Sequence, residues 1–208
     1  MKAVVFIDVQ KDFIDGALRN EKAIEVTPKI VEFAKDCVKH GNYKLYATRD
    51  THERSEAVSE QLPDNSWRTL YSRGYLYTLE GQKLPIEHCI EGTDGWMIDD
   101  RLYDVIDGKV TTVNKPTFGS FDLAEVIKED IDKFNEDHKN CRDDFEPFNE
   151  IILCGFCTDI CCVSCALLLR AKFPNTKITV MKDLCAGTTK ENHEAALKVM
   201  QSCQIDII

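Results

Sequence analysis

One cysteine in the chain stands where a nucleophile could be built. Cys161 lies in EIILCGFCTDICCV, residues 150–163, where an apolar run is followed by Gly155 and by two good helix N-cap residues, Thr158 and Asp159. This order predicts a buried strand, a sharp turn and a helix whose first turn contains the cysteine. Unpaired N–H groups and the positive end of the helix macrodipole favour a thiolate there. Cys161 is therefore a candidate nucleophile.

The other cysteines near Cys161 are interpreted as packing residues. Most thiols of a reduced protein are small buried side chains, and a chain with a large apolar core and no secretory signal is expected to keep its ten cysteines reduced. A zinc or iron–sulfur cluster is an alternative, because residues 154–165 contain two C-x-x-C pairs. The first pair would straddle a strand end, and no distant pair completes a four-ligand site.

Three further polar groups follow segments that are typical of buried strands. Asp8 is the next-to-last residue of KAVVFIDV, Asp50 lies two residues after KLYAT, and Lys115 follows KVTTVN. The carboxyl ends of parallel strands meet at one edge of a sheet, where α/β proteins place their sites. We therefore expect these three groups and Cys161 to converge at that edge.

Two of these strand ends could carry further chemistry. Asp50 and His52 stand two residues apart in an extended segment, so their side chains point to the same side. They could share one divalent ion, with His88 as a second imidazole if its loop folds back; a hydrogen-bonded structural pair is the alternative. Lys115 could lower the pKa of a neighbouring thiol or hold an oxyanion, and a solvated loop lysine is the alternative.

Helical patterns separate the predicted strands, over residues 21–38, 99–105, 121–134 and 190–202. This alternation, without a repeat or a linker, predicts a three-layer α/β/α fold with a mostly parallel central sheet, and a single domain over residues 1–208. Residues 53–80 are polar and aromatic without a clear period. We interpret them as an insertion or lid with short helical turns.

The overall composition argues against several classes of partner. The net charge of −10 disfavours nucleic acid and anionic membranes. No apolar run approaches the length of a membrane span, and the first one is broken at Asp8 without a cleavage site of small residues. These features predict a cytoplasmic protein that binds neither membrane nor nucleic acid.

Three motifs resemble those of the isochorismatase-like cysteine hydrolases, a family with a Rossmann-like fold. They are FIDVQKDF at residues 6–13, NKPTFGSF at 114–121 and GFCTDICCV at 155–163. The resemblance implies that Asp8 is the catalytic acid, Lys115 the catalytic lysine and Cys161 the nucleophile. It also implies an oxyanion hole made by the backbone N–H groups of Cys157 and Cys161.

Within this family the chain looks like the nicotinamidases, which add a metal site. Asp50 and His52 match their D-x-H, and His88 matches their later histidine. The fourth ligand varies between His and Glu, and the resemblance favours Glu80, with Glu56 or Glu60 as fallbacks. The implied ion is zinc, with iron or manganese as alternatives.

The resemblance also implies an aromatic pocket for the substrate ring. Leu84 or Pro85 stands where the family usually has an aromatic before the second histidine. Phe13 and Phe118 are therefore expected to form the wall, or else an aromatic of the segment 67–77. Phe156 is a third expected substrate contact. The bond from Phe156 to Cys157 matches the position of the family's cis peptide.

The activity implied is hydrolysis of nicotinamide to nicotinate and ammonia through a cysteine thioester, as part of NAD salvage and pyridine nucleotide biosynthesis. A small amide is then the substrate, and we expect a homo-oligomer. One alternative is a metal-free amidase of the same superfamily that acts on a carbamoyl or ureido group. Cys161 disfavours vinyl ether hydrolysis of the isochorismate type. A non-catalytic binding or redox-sensing protein built around its thiols is the alternative outside enzymes.

Overall fold

The structure, a computed structural model, describes residues 1–137 and 149–208. Its strands are β1 (Lys2–Ile7), β2 (Tyr43–Asp50), β3 (Glu56–Gln61), β4 (Trp67–Arg73), β5 (Val110–Lys115), β6 (Glu150–Phe156), β7 (Lys177–Ala186) and β8 (Asp206–Ile207). Six of them form one sheet in the order β5-β2-β1-β6-β7-β8. Every neighbouring pair in that sheet is parallel.

Helices fill most of the connections between these strands. They are α1 (Lys11–Ile14), α2 (Glu21–His40), α3 (Leu79–Lys83), α4 (Asp100–Ile106), α5 (Phe121–Asp137), α6 (Val163–Lys172) and α7 (Lys190–Ser202). The longest, α2, begins where Asn20 accepts bonds from two backbone N–H groups and ends at Gly41, whose φ is +69°. Among residues 1–137 and 149–208, none of the helices combines the length and the apolarity needed to cross a bilayer.

The order of the strands shows that the chain reverses its direction of travel across the sheet. From β1 it moves to one side, to β2 and then β5, and from there it returns to β6 on the other side of β1. Because parallel crossovers are right-handed, helices from the two halves cover opposite faces. The sequence prediction of a three-layer α/β/α fold with a mostly parallel sheet is therefore confirmed. A single domain over residues 1–208 stays a prediction.

The central strands β1 and β6 meet at the point of reversal, where α/β proteins place their sites. Their apolar runs suit burial on both faces, and every residue of β6 is buried. Gly155 has a φ of +125°, and a Cβ there would lie 2.0 Å from the carbonyl oxygen of Ile7. Only glycine allows this close approach of the two backbones, directly before Asp8.

The segment 53–80 contains an antiparallel hairpin of β3 and β4, which the sequence reading of a lid with short helical turns did not include. Every residue of both strands is exposed. Ion pairs join Glu56 to Arg73 and Glu60 to Arg68 across the strands. Neither face of this hairpin packs on the core, so its strands do not need alternating apolar residues. That alternation is the sequence pattern from which a strand is predicted, and its absence explains why the hairpin was not. Helical turns follow only at residues 75–77 and in α3.

Candidate active site

Three side chains that are far apart along the chain meet at the carboxyl edge of the sheet. The Lys115 ammonium nitrogen lies 2.6 Å from Asp8 Oδ2 and 3.4 Å from Cys161 Sγ. All three residues are buried. The ammonium group is thus within bonding reach of both the acid and the sulfur, and the three groups meet at the edge where the sequence pattern predicted them.

Asp8 is held by the neighbouring strand. Its φ of +46° is uncommon for a residue with a side chain and typical of constrained positions in sites. The Thr48 hydroxyl, from β2, donates to Asp8 Oδ1 at 2.6 Å and accepts from the Asp8 N–H at 3.1 Å. The first bond holds the carboxylate and the second holds the backbone of Asp8, and the other carboxylate oxygen, Oδ2, faces Lys115.

Lys115 ends β5 and points across β2 toward β1. Besides Asp8 and Cys161, its ammonium group donates to the Thr117 carbonyl at 3.1 Å and to Asp50 Oδ1 at 3.3 Å. Burial by itself would lower the pKa of this lysine. The negative charges of Asp8 and Asp50, and the Cys161 sulfur when it is ionised, outweigh that effect and hold the pKa well above its ordinary value, so the lysine is a permanent cation.

Cys161 does not lie in the first turn of an α-helix, as the sequence analysis predicted. It lies in a π-helical turn, Thr158–Cys162, that precedes α6. The predicted N-cap residues are used elsewhere: Asp159 accepts the Thr188 N–H at 2.8 Å, and the Thr158 hydroxyl bonds to His193 at 2.8 Å. Such turns are frequent at functional sites.

The environment of Cys161 does not favour a thiolate, contrary to the prediction from its position in the sequence. Burial raises the pKa of the Cys161 thiol well above its ordinary value, and the Asp8 carboxylate adds to the rise, while Lys115 opposes it. Desolvation of the charged sulfur therefore outweighs the help of the lysine. The thiol is protonated at rest, and a base must remove its proton during the reaction.

The bond between Phe156 and Cys157 is cis, at the position that the resemblance implied. The Cys157 carbonyl accepts from the N–H groups of Ile160 and Cys162 at 3.1 and 3.0 Å, which fixes the turn around the nucleophile. An oxyanion hole formed by the N–H groups of Cys157 and Cys161 stays a prediction.

A second group of side chains adjoins the first and could hold a metal ion. One donor atom from each of Asp50, His52, Glu80 and His88 lies within 4.8 Å of the others. His52 Nε2 is 3.0 Å from Asp50 Oδ2 and 3.8 Å from Glu80 Oε1, and His88 Nε2 is 3.5 Å from the same Asp50 oxygen. The histidines and Lys115 lower the pKa of Asp50 despite its burial, so it is ionised.

The chemistry of this donor set fits a divalent transition metal. Two imidazoles and two carboxylates suit zinc, iron or manganese. The His88 Nδ1 lies 2.9 Å from the Ile86 carbonyl, which assigns the ring proton to that nitrogen and leaves the Nε2 lone pair facing the cluster. Of the fallback ligands, Glu56 and Glu60 lie on the exposed hairpin. Among the three candidate glutamates only Glu80 belongs to the cluster.

The expected substrate contacts lie in three different environments. Phe13 is 6% exposed, and its ring centroid lies 5.7 Å from that of His88, so it borders the cluster. Phe118 is 41% exposed and follows Lys115 by three residues. Phe156 is fully buried in the apolar core. Of the three, Phe156 has no exposed surface to offer a substrate.

Two residues that hold the site together, Gln10 and Thr48, were not predicted from the sequence. Gln10 is fully buried; its side chain accepts the Asp50 N–H at 2.7 Å and donates to the Asp50 carbonyl at 2.9 Å. It also donates to the Trp96 carbonyl at 2.8 Å. The sequence offered one indication for Gln10: it carries an amide side chain directly after a strand that was predicted to be buried. A parallel pairing of the first two strands would have placed Thr48 beside Asp8.

Comparisons with known proteins agree with the fold described above. The family model of the isochorismatase domain matches residues 2–208. A search of curated proteins found no match.

Several solved structures are similar over nearly their whole length. The nicotinamidase/pyrazinamidase of Bacillus subtilis has a TM-score of 0.72 and 23% identity, and the match covers 99% of this chain and 98% of that one. The pyrazinamidase of Pyrococcus horikoshii in complex with zinc has a TM-score of 0.68 and 20% identity, with 100% and 98% covered. The yeast nicotinamidase bound to the inhibitor nicotinaldehyde has a TM-score of 0.67 and 17% identity, with 100% and 99% covered. At these identities the likeness establishes the fold, and because the family model spans residues 2–208, this chain belongs to the isochorismatase family.

Proposed function

We propose that this protein is a nicotinamidase, a cysteine amidohydrolase that converts nicotinamide to nicotinate and ammonia. One observation carries the proposal: the Lys115 ammonium group contacts Asp8, Cys161 and also Asp50 of the four-donor cluster. A nucleophile for an amide carbon thus adjoins a site for a ring nitrogen. Similar solved structures from Bacillus subtilis and yeast are nicotinamidases, which supports the same assignment.

In the first half of the reaction, Asp8 takes the proton of the Cys161 thiol while the sulfur attacks the amide carbon. The raised pKa of the thiol requires a base within reach at that moment. Lys115, 3.4 Å from the sulfur, stabilises the negative charge that develops there. The backbone N–H groups of Cys157 and Cys161 are proposed to receive the carbonyl oxygen as it becomes an oxyanion.

In the second half, Asp8 gives its proton to the leaving ammonia, which leaves a thioester on Cys161. Water then attacks the thioester, with Asp8 again as the base. The C–S bond breaks as nicotinate forms, and the proton on Asp8 returns to the Cys161 sulfur. Burial raises the pKa of Asp8, and Lys115 opposes the rise. A carboxyl poised in this way can hold a proton between the two steps and release it again.

Asp50, His52, Glu80 and His88 are proposed to hold a divalent ion, with zinc as the expected metal. When bound, the ion supplies a Lewis-acid contact for the pyridine nitrogen. The bond from Lys115 to Asp50 would fix the spacing between this cluster and the sulfur, and Phe13 and Phe118 would contact the ring. Cytoplasmic NAD salvage is the proposed setting, and a homo-oligomer stays a prediction.

The test is ammonia release from nicotinamide, compared with carbamoyl and ureido amides at equal concentration. We expect nicotinamide to be the best substrate. A chelator should mainly raise KM, and added zinc should restore it. Faster turnover of a carbamoyl or ureido compound, or a KM that the chelator leaves unchanged, would contradict the nicotinamidase assignment.

A further inference from the structure

Tyr75 packs against both histidines of the four-donor cluster. Its ring centroid lies 4.6 Å from that of His52 and 4.9 Å from that of His88. The two imidazoles are themselves 4.9 Å apart, so the three rings form one compact group. Tyr75 is only 1% exposed, although it lies two residues after the end of the exposed strand β4.

The backbone and the hydroxyl of Tyr75 join two ligand-bearing segments. Its N–H donates at 2.9 Å to the carbonyl of Glu53, the residue after His52. Its hydroxyl donates at 3.0 Å to the carbonyl of Leu84, in the loop that leads to His88. One residue therefore ties the end of β2 to the loop of the second histidine.

The third ligand-bearing segment, α3 with Glu80, also rests on Tyr75. The Tyr75 carbonyl accepts from the Thr78 N–H at 2.9 Å and from its hydroxyl at 2.6 Å. The Thr78 hydroxyl oxygen also caps α3, because it accepts the Gly81 N–H at 3.0 Å. A Cβ at Gly81 would lie 2.2 Å from the Tyr75 carbonyl oxygen, so the helix is pressed against this residue.

We propose that Tyr75 is a positioning residue that sets the geometry and the affinity of the metal site. It contacts the segments of His52, Glu80 and His88 at once, and its ring limits the rotation of both imidazoles. Outer groups that orient ligands in this way add to metal affinity. The proposal rests on the metal site of the proposed function, but not on the substrate.

The experiment measures zinc affinity of the full chain, stripped of metal, by competition with a chromophoric chelator. Tyr75→Leu removes the ring and the hydroxyl, whereas Tyr75→Phe removes only the bond to Leu84. Tyr77→Leu is the matched control, because Tyr77 is 60% exposed and lies two residues away. The visible spectrum of the cobalt-substituted protein reports the coordination geometry independently of activity.

We expect Tyr75→Leu to weaken zinc binding about tenfold or more, within the range seen when outer groups of metal sites are removed. Tyr75→Phe keeps the ring, so we expect a smaller loss of about threefold, below that range. The cobalt bands should shift in Tyr75→Leu, while Tyr77→Leu should match the wild type in both measurements. If Tyr75→Leu fails to fold, Tyr75→Phe decides alone.

Unchanged zinc affinity and an unchanged cobalt spectrum in the Tyr75 variants would overturn the proposal. It would also be overturned if the wild type bound zinc no better than Asp50→Ala. A chain that binds zinc in the expected way but does not hydrolyse nicotinamide would refute the proposed function and leave the role of Tyr75 standing.

Discussion

At the scale of single residues, burial sets the chemistry of the triad. A nucleophile with its thiolate formed at rest would need a lowered pKa, and burial raises the pKa of Cys161 instead. A negative charge on the sulfur is therefore unfavourable unless Asp8 accepts the proton and the Lys115 ammonium group stabilises the charge. Breaking the buried pair of Asp8 and Lys115 would leave one charge uncompensated, at a cost of about 3–5 kcal/mol.

The pH dependence of turnover follows from the environment of Asp8. Burial raises the pKa of this carboxyl, and only its ionised form can take the thiol proton. Activity should therefore fall as the pH drops through a pKa above the ordinary aspartate value of about 3.9. The measurement is kcat/KM over a range of roughly pH 4 to 8. A profile that stays flat down to about pH 4, in protein that remains folded, would argue against Asp8 as the base.

At the scale of elements, the amino ends of three central strands share one carboxylate. Glu150 begins β6, and its oxygens lie 2.6 Å from Lys2 of β1 and 3.0 Å from Lys177 of β7. The Thr179 hydroxyl donates to it at 2.7 Å. Although burial opposes ionisation, these partners lower the pKa of Glu150 to about 2. The Glu150 carboxylate therefore joins β1, β6 and β7 at the edge of the sheet opposite to the site.

The change Glu150→Gln tests this contribution to stability. Because the pKa of Glu150 is lower in the folded chain, its stabilisation is complete above pH 4.5 and disappears as the pH falls to about 2. Both lysines are partly exposed, so we expect a loss of about 1–2 kcal/mol at pH 7. Urea unfolding of both proteins at roughly pH 7, 5 and 3 would measure the difference in their free energy of unfolding. That difference should become smaller only at the lowest pH. An equal deficit at all three would refute the charge effect.

The elements could be predicted from the sequence better than their local details. Apolar runs between turn residues located the strands of the sheet, and parallel pairing brought their polar ends together. The π-helical turn at Cys161 could not be predicted, because Thr158 and Asp159 favour an N-cap in any local reading. Bonds to Thr188 and His193, distant along the chain, override that preference.

At the scale of the whole molecule, the site lies where the strand order reverses, between β1 and β6. The hairpin of β3 and β4 forms a separate sheet outside this central one. The order of strands that puts β1 beside β6 depends on long-range packing, which local patterns do not encode. Tyr75 illustrates the same limit, since nothing in the local pattern of residues 67–77 distinguishes it from the exposed Tyr77.

Excision of the hairpin should leave the rest of the molecule intact. Its strands are exposed throughout, and the segment is closed at its base by the bond from Leu76 to the Ser55 hydroxyl, at 2.8 Å, and by that from Tyr75 to Glu53. Replacing residues 56–73 with Asn-Gly keeps this base and suits a tight turn. We expect Tm to change by less than about 4 °C, equivalent to under about 1 kcal/mol. A larger loss in thermal unfolding would show that the hairpin stabilises the body of the protein.

The most direct measurement is ammonia release from nicotinamide by the wild type, Cys161→Ala and Cys203→Ala. Cys203 is a free thiol that follows α7, and it serves as the matched control for removal of a sulfur. The account predicts that Cys161→Ala loses all measurable turnover, while Cys203→Ala keeps the wild-type rate. Near-normal ammonia release by folded Cys161→Ala would contradict it.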